Sequence, residues 1–177
     1  MAEARRRLFL ALWPDEAVAR ALDAAGLAAH QLCGGRRMRR DTLHLTLAFL
    51  GDVEATRIPG LVDALGAVKG DAFRLQLDTL AYWRHNHIVW AGCAERPAAL
   101  EGLVGALRSS LAMLDLVVED SGFVPHVTLL RKAVVAGALP ALEPIVWPVA
   151  DFALMESCLS DAGASYRRLA GWCLGVV

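Results

Sequence analysis

This sequence of 177 residues contains one chemically suggestive pattern twice: a histidine, an apolar residue, a threonine and a leucine. The first copy is His44-Leu45-Thr46-Leu47, and the second, His126-Val127-Thr128-Leu129, follows about half a chain later. An imidazole exchanges protons near neutral pH, and a threonine hydroxyl can donate a hydrogen bond to an anion. A single copy is more often part of a packed strand than of an active site, but two copies favour a shared chemical role.

Each copy is predicted to lie in a β-strand, because polar and apolar residues alternate along it. Side chains two positions apart in a strand lie on the same face, about 7 Å apart along the chain. In the first strand, the alternation predicts that His44, Thr46 and Ala48 share one face. Leu45, Leu47 and Phe49 are then expected on the opposite face, where apolar side chains anchor the strand in the core.

Two similar halves of one fold would bring the two motifs together across a central cleft. Such a cleft would hold the imidazoles of His44 and His126 and the hydroxyls of Thr46 and Thr128. A neutral imidazole can accept a proton from water while an imidazolium donates one to a leaving oxygen, and both forms coexist near neutral pH. In-line displacement at phosphorus fits this arrangement, with the hydroxyls binding the non-bridging oxygens. The scheme requires no metal ion and no other cofactor.

The elements that must hold these strands are predicted from hydrophobic periodicity and from capping residues. The apolar run Leu8–Trp13 is typical of a buried strand, and Asp15 can cap a helix over residues 16–31. Further helices are expected at about residues 56–68 and 97–114. Strands that alternate with helices, but also occur in adjacent pairs, indicate an α+β or mixed α/β fold.

More strands are predicted between and after these helices. Those near residues 72–79 and 87–93 are expected to pair as a hairpin. A connection that contains prolines is expected at 137–148, followed by the last two strands at about 149–159 and 166–174.

Composition and charge limit the classes of protein to which the chain can belong. Apolar residues make up 56% of it and the mean hydropathy is +0.41, which excludes a disordered or collagen-like chain. The 18 Lys and Arg residues nearly balance the 19 Asp and Glu residues, so a partner held by bulk electrostatics, such as long duplex DNA, is disfavoured. No low-complexity linker divides the chain, and residues 1–177 are expected to form a single domain.

The beginning of the sequence has some features of a secretory signal, since Arg5–Arg7 precede the apolar run Leu8–Trp13. Pro14 ends that run, whereas secretory segments need about 7–15 apolar residues, and no run reaches the roughly 20 residues that span a bilayer. A cytoplasmic protein without a membrane segment is therefore expected. The four cysteines are scattered without paired spacing, which favours reduced and mostly buried thiols.

Other chemically suggestive residues lack the partners that their chemistry needs. His85 and His87 have a spacing found in metal ligands, but no carboxylate or cysteine motif accompanies them, so no metal site is expected. Ser109, Ser110 and Ser157 lack the flanking glycines of a nucleophile elbow, which leaves a serine hydrolase unsupported. The sequence also lacks a phosphate-binding loop, which argues against a ligase powered by a nucleoside triphosphate.

Arginine and aromatic residues could bind other parts of a substrate. Arg131 follows the second motif by two residues and is the best candidate for an added phosphate contact, although a regular strand would place it on the face of Val127 and Leu129. It reaches the cleft only if the strand bends, and is otherwise a solvated cation at the strand end. The four arginines of segment 36–40 could contact backbone phosphates of a nucleic-acid substrate or could belong to a solvated loop. Four aromatic residues could stack an unpaired base or simply pack: Tyr82, Trp83, Trp90 and Trp147.

The paired motifs resemble those that define the two-histidine (2H) phosphoesterase superfamily, which has a His-x-Thr-x motif in each half. Their contexts, His44–Gly51 and Pro125–Arg131, are more closely similar to those of the RNA 2′,3′-cyclic phosphodiesterases, historically named 2′-5′ RNA ligases. The strand Arg7–Ala11 and the last strand, Tyr166–Leu174, resemble that subgroup too. The resemblance therefore extends over essentially the whole chain.

This resemblance implies a bilobal α+β fold, with two lobes of sheet and helix around a central cleft. It implies an enzyme that hydrolyses an RNA 2′,3′-cyclic phosphate to a terminal 2′-phosphate without a metal ion. In such an enzyme His44 would be the proton donor and His126 the proton acceptor, while Thr46 and Thr128 would bind the phosphate. The expected partner is RNA with cyclic phosphate ends, and a monomer is expected. Some relatives also join or cleave 2′-5′ linkages.

Two other functions agree with the same residues. The catalytic pair could act on a small cyclic nucleotide or on an ADP-ribose-type cyclic phosphate. A module that binds RNA ends without catalysis would also keep the cleft, although both motifs are intact here. Activity on a cyclic mononucleotide compared with a cyclic-phosphate oligomer separates the substrate classes, and turnover separates an enzyme from a binding module.

Overall fold

Ten strands and three α-helices are present in the computed structural model, which describes residues 4–116, 118, 122–160 and 163–175. The helices are α1 (Glu16–Cys33), α2 (Ile58–Gly66) and α3 (Ala98–Ala112), and single 3₁₀ turns occupy Arg40–Thr42 and Ala55–Arg57. The strands, in chain order, are β1 (Arg5–Leu12), β2 (Arg36–Arg37), β3 (Leu45–Glu54), β4 (Phe73–Leu77), β5 (Thr79–Trp83), β6 (Ile88–Gly92), β7 (His126–Arg131), β8 (Ile145–Val149), β9 (Asp151–Ser160) and β10 (Gly163–Cys173).

Eight of these strands form one sheet in which each paired neighbour is antiparallel. Its order is β10-β9-β1-β3-β7-β6-β5, and the short β2 pairs with β7. The other two strands, β4 and β8, form a separate antiparallel pair. Antiparallel sheets with helices packed against them place the protein in the predicted α+β class.

The large sheet divides into two lobes at the junction of β3 and β7, which pair at one position, Leu45 with Val127. One lobe holds β10, β9, β1 and β3, and the other holds β7, β6, β5 and β2. Helix α3 packs against β3 and α2 packs against α3, while α1 packs against β7 and β8. The prediction of two lobes of sheet and helix is therefore confirmed.

The core is a continuous apolar cluster between the helices and one face of the large sheet. Leu22 of α1 and Leu107 of α3 are fully buried in it, together with apolar residues of the strands. Helix α1 begins at its predicted cap, because the Asp15 carboxylate accepts a hydrogen bond of 2.8 Å from the Val18 N–H. This bond satisfies one of the N–H groups that the first turn leaves free.

Strand pairing in the second half of the chain differs from the prediction. The hairpin is formed by β5 and β6, whereas β4, which corresponds to the strand predicted at 72–79, pairs with β8. Most of β8 lies within the predicted connection 137–148. Leu75, Leu77 and Trp147 are buried, so that β4 and β8 each have an apolar face. A local pattern cannot show which distant strand a half-buried strand will pair with, and the predicted hairpin of 72–79 with 87–93 is wrong.

Each motif strand contains an extra residue directly after its threonine. In β3 this residue is Leu47, which has no partner in β1, and in β7 it is Leu129, which has no partner in β6. Such a β-bulge shifts the alternation of side chains by one position. The predicted faces of Ala48 and Phe49 are therefore wrong, because Ala48 is buried in the core and Phe49 lies on the histidine face.

The cysteines are distributed differently from the expectation of mostly buried thiols. All four are free, but Cys158 and Cys173 are exposed, Cys93 is half-buried and only Cys33 is buried. The two exposed cysteines lie in the hairpin of β9 and β10 at the edge of the sheet, where alternate side chains can face solvent. Within the described ranges, the helices are too short or too polar to cross a membrane.

The variant Leu45→Ala is expected to lower the free energy of unfolding by about 2–5 kcal/mol, because it removes a fully buried side chain at the junction of the lobes. Urea unfolding followed by circular dichroism measures this loss. The matched control is Leu32→Ala, at a leucine that is 65% exposed, with an expected change below about 0.5 kcal/mol. If both variants lose the same free energy of unfolding, the Leu45 side chain at the junction does not stabilise the fold more than an exposed leucine does.

Candidate active site

The pairing of Leu45 with Val127 determines where the two motifs meet. Because β3 and β7 are antiparallel, this register places each motif histidine opposite the threonine of the other motif. Side chains opposite each other lie on one face of a sheet, and neighbours along a strand lie on opposite faces. Leu45 and Val127 are fully buried in the core, so the polar side chains of both motifs point to the other face.

On that face, the motif side chains line a cleft of about 590 Å³. His44 and His126 occupy diagonal positions of the ladder, which in regular sheets are about 7–8 Å apart. The hydroxyls of Thr46 and Thr128 line the same cleft. One phosphoryl group can therefore lie between the two imidazoles with both hydroxyls beside it. The structure thus brings together the four residues that the sequence pattern paired.

Both imidazoles are held by the same kind of backbone interaction. The Nδ1 atom of His44 lies 2.7 Å from the carbonyl oxygen of Thr42, and Nδ1 of His126 lies 2.7 Å from that of Val124. A carbonyl oxygen can only accept, so Nδ1 of each ring carries the proton and donates it. In the neutral ring, Nε2 is then the unprotonated nitrogen. Each histidine keeps Nε2 for proton exchange with a substrate.

Aromatic rings of the first lobe enclose the imidazole of His44. Its centroid lies 5.1 Å from that of Phe9, 5.1 Å from that of Trp13 and 5.0 Å from that of Tyr166. The Trp13 ring is parallel to the imidazole within 5°, whereas Tyr166 meets it at 74°. Phe9 belongs to β1, Trp13 follows β1 directly, and Tyr166 belongs to β10.

The imidazole of His126 lies against two indoles of the second lobe. Its centroid is 4.6 Å from Trp83 of β5 and 5.9 Å from Trp90 of β6. These rings meet the imidazole at 71° and 69°. Each lobe therefore supplies one histidine and the aromatic wall that limits its contact with water.

Burial lowers the pKa of both histidines, because an imidazolium loses hydration beside apolar rings. The hydrogen bonds to the carbonyls of Thr42 and Val124 act in the opposite direction on the pKa of each ring. The charge of Arg131 lowers both pKa values, and the charge of His126 lowers the pKa of His44. Neutral rings predominate at neutral pH, and a proton on one ring disfavours a proton on the other.

Three arginines give the cleft a positive potential. Arg131 lines the cleft, because the bulge at Leu129 turns the end of β7 to the histidine face. Arg36 of β2 pairs directly opposite Arg131 and lines the cleft too. The guanidinium of Arg7 lies 4.9 Å from the ring centre of Phe49, also in the cleft. An anion such as phosphate is the ligand that these side chains favour.

The rest of the basic segment 36–40 is held by acidic residues. Its other arginines form ion pairs: Arg37 with Asp23, Arg39 with Asp41, and Arg40 with Glu16. The structure therefore brings one of the four arginines of this segment, Arg36, to the cleft.

The sequence patterns do not identify three aromatic residues that surround His44: Phe9, Trp13 and Tyr166. An apolar run such as Leu8–Trp13 gives no indication of which face meets the core. Of the aromatic residues considered for base stacking, Trp83 and Trp90 contact His126. Tyr82 instead donates a hydrogen bond of 3.1 Å to the carbonyl of Ala133, and Trp147 is only 2% exposed. The suggestion that Trp147 stacks a base is wrong.

A second recess, of about 660 Å³, adjoins the cleft at His126. It shares Thr46, Phe49 and His126 with the cleft, so the two lie side by side, and together they are called the groove below. Trp83 and His85 stand in its wall. His87 faces elsewhere, since its Nδ1 lies 2.9 Å from the hydroxyl of Tyr82. Within the part of the chain that the structure describes, no group of three or more histidine, cysteine or acidic side chains could hold a metal ion.

The chain is similar to a known family and to curated proteins. A family model described as LigT like Phosphoesterase matches residues 12–90. The RNA 2′,3′-cyclic phosphodiesterase of Escherichia coli (strain K12) is 35% identical over 142 residues, which are 79% of this chain and 80% of that protein. The protein of the same name from Thermus thermophilus is 33% identical over 174 residues, which are 92% of this chain and 87% of that protein.

Solved structures share the fold. The crystal structure of E. coli LigT in apo form has a TM-score of 0.86 and 31% identity, and the match covers 98% of this chain and 99% of that chain. The crystal structure of E. coli LigT complexed with 3′-AMP has a TM-score of 0.87 and 30% identity, and the match covers 97% of this chain and 99% of that chain. The same arrangement of strands and helices is therefore present in this protein and in E. coli LigT.

Stability is expected to depend on pH through the two histidines. Their pKa values are lower in the folded than in the unfolded chain, so the folded protein is most stable above the ordinary histidine pKa of about 6.5 and loses stability as the pH falls below it. The variants His44→Asn and His126→Asn keep an N–H donor near the position of Nδ1 but cannot become cations.

Urea unfolding of the wild type and of each variant at about pH 8 and about pH 5.5 measures this effect. Each asparagine variant is expected to lose less stability between the two pH values than the wild type does. Identical losses in the three proteins would show that the folded rings bind protons as readily as unfolded ones.

Proposed function

Since the chain belongs to the LigT-like phosphoesterase family, which includes RNA 2′,3′-cyclic phosphodiesterases, we propose that it hydrolyses an RNA 2′,3′-cyclic phosphate to a terminal 2′-phosphate. The enzyme is a phosphodiester hydrolase. The observation that carries this function is the pair of imidazoles in one cleft, each with Nδ1 on a backbone carbonyl and Nε2 left for the substrate.

The reaction is a displacement in which attack and departure occur on opposite sides of phosphorus. Nε2 of His126 accepts a proton from water while the water oxygen forms its bond to phosphorus. The bond from phosphorus to O3′ breaks, and Nε2 of His44 donates a proton to that oxygen. The phosphate stays on O2′, and proton exchange with solvent restores both imidazoles.

The phosphate is bound by the side chains beside the imidazoles. The hydroxyls of Thr46 and Thr128 donate to the non-bridging oxygens, on which negative charge develops in the transition state. Arg131 is the third phosphate ligand. Its place in the cleft supports this role, as does its charge, which is close enough to lower the pKa of both histidines.

The proposal includes three further properties. Catalysis uses no metal ion and no cofactor, because the acid, the base and the phosphate ligands are all side chains of this chain. The protein acts as a monomer, because each lobe supplies one motif and the cleft is complete within one chain. It acts in the cytoplasm, which agrees with the four free thiols.

An RNA end fits the groove better than a small cyclic nucleotide does. The cleft of about 590 Å³ and the recess of about 660 Å³ together offer more space than one nucleotide needs. Trp83 can stack an unpaired base in the recess, and Arg7 and Arg36 can bind backbone phosphates. A nucleotide is also a suitable occupant because E. coli LigT forms a complex with 3′-AMP.

The variants His44→Ala and His126→Ala are each expected to lower kcat by about 100- to 10,000-fold, because each removes one partner of the acid–base pair. Phosphorus NMR of a 2′,3′-cyclic-phosphate oligonucleotide measures turnover and shows whether the product carries a 2′-phosphate. The wild type is expected to show a bell-shaped pH profile and to keep its turnover in EDTA.

The matched control for these variants is His87→Asn. His87 is exposed and contacts Tyr82, and asparagine tolerates its positive φ of 56°. This control is expected to keep wild-type turnover. Near-normal turnover in either alanine variant would refute the acid–base pair. Binding of a 2′-phosphate end by the wild type without hydrolysis over hours would instead identify a binding module.

The variant Arg36→Gln is expected to lower kcat/KM about tenfold for a cyclic-phosphate oligonucleotide but less than about twofold for a cyclic mononucleotide, because it removes one backbone phosphate contact. The control is Arg40→Gln, which removes an arginine paired with Glu16 and is expected to leave both values unchanged. Steady-state kinetics on the two substrates test this difference. If Arg36→Gln affects both substrates equally, a small cyclic nucleotide is the better candidate.

A further inference from the structure

The two histidines match in their backbone hydrogen bonds but differ in the aromatic rings around them, and one of these differences lies directly beside the motif histidine. Strand β1 flanks the first motif strand and β6 flanks the second, with corresponding residues paired in both. At the position beside the motif histidine, the second lobe has Gly92, which pairs with His126. The corresponding residue of the first lobe is Trp13, directly after the end of β1.

Trp13 offers the face of its indole to His44. The two rings are parallel within 5°, with their centroids 5.1 Å apart. A cation within about 6 Å of the centroid and over the face of an indole is attracted by the negative charge of that face. The indoles beside His126, Trp83 and Trp90, meet its imidazole at 71° and 69°. Among the described residues, therefore, only His44 has an indole stacked parallel to its imidazole.

The charged groups near the two histidines do not favour a proton on His44 over a proton on His126. Arg131 disfavours protonation of both imidazoles, and a charge on His126 disfavours protonation of His44. Three more charged or titratable groups line the cleft from other strands: Arg7 of β1, Arg36 of β2 and Tyr166 of β10. The acidic residues close to Trp13 are engaged: Asp15 with the Val18 N–H, Glu16 with Arg20 and Arg40, and Asp41 with Arg39.

We propose that Trp13 is a positioning residue that keeps the proton of the histidine pair on His44 and so makes His44 the acid. This inference rests on the proposed function, which needs one imidazole protonated while the other is neutral. Two rings with the same backbone hydrogen bond could share one proton in either of two arrangements. The stacked indole favours the arrangement in which His44 is the imidazolium and His126 the neutral base.

The variant Trp13→Leu removes the aromatic face but keeps an apolar side chain. The productive state has His44 protonated and His126 neutral. On the alkaline side of the pH profile, where both rings are mostly neutral, kcat/KM is expected to fall about tenfold. The reason is that the productive state loses the attraction between the imidazolium and the indole, which the state with two neutral rings does not have. On the acidic side kcat/KM is expected to stay unchanged, because the productive and the doubly protonated states lose the same stabilisation. The variant Trp13→Phe keeps an aromatic face and is expected to retain most of the alkaline activity.

Two other kinetic outcomes would overturn the inference. A rise of kcat/KM on the acidic side with no change on the alkaline side would show that His44 is the base. A uniform loss at every pH in both Trp13 variants would show that Trp13 only packs against the site.

Heteronuclear NMR of histidine-labelled protein follows the protonation of His44 without any substrate. In Trp13→Leu the titration of His44 is expected to move to lower pH than in the wild type, and in Trp13→Phe to move less. An unchanged His44 titration in Trp13→Leu would overturn the inference, whatever the enzyme hydrolyses. Failure of the wild type to hydrolyse the cyclic-phosphate oligonucleotide would instead refute the proposed function, and the NMR result would still decide the role of Trp13.

Discussion

The antiparallel pairing of Leu45 with Val127 is the constraint on which the active site depends. Both side chains are fully buried, and a shift of the register by one residue would move them out of the core and turn the motif side chains into it. The cost of burying imidazoles and exposing aliphatic side chains opposes that shift. The same apolar contact therefore joins the two lobes and aligns their histidines across one cleft.

Two opposing effects set the chemistry of those histidines. Burial lowers the proton affinity of both rings, while the hydrogen bonds to Thr42 and Val124 raise it and fix Nε2 as the exchanging atom. Because burial and these hydrogen bonds act in the same directions on both rings, they do not by themselves assign the roles of acid and base. The duplication thus produces a pair of similar groups, and a residue outside the repeated motif, Trp13, distinguishes them.

Departures from regular strand geometry shape the rest of the cleft. The bulges at Leu47 and Leu129 occur at equivalent positions of the two motif strands, and each turns the following segment of chain. Phe49 in one lobe and Arg131 in the other reach the cleft for this reason. Strict alternation predicts the faces of the motif residues correctly and fails directly after them, because a bulge depends on the partner strand and leaves no local pattern.

The sequence alone determined the paired motifs and the cap of α1 at Asp15, because each of these depends on the spacing of residues within a short segment, and the order of the predicted elements limited the fold to α+β or mixed α/β. Only the tertiary structure decided the pairing of β4 with β8, the face reached by Arg131 and the aromatic walls from Phe9, Trp13 and Tyr166. These features join segments that are far apart in the chain, and their formation depends on packing and on strand register, neither of which is recorded in the local order of polar and apolar residues.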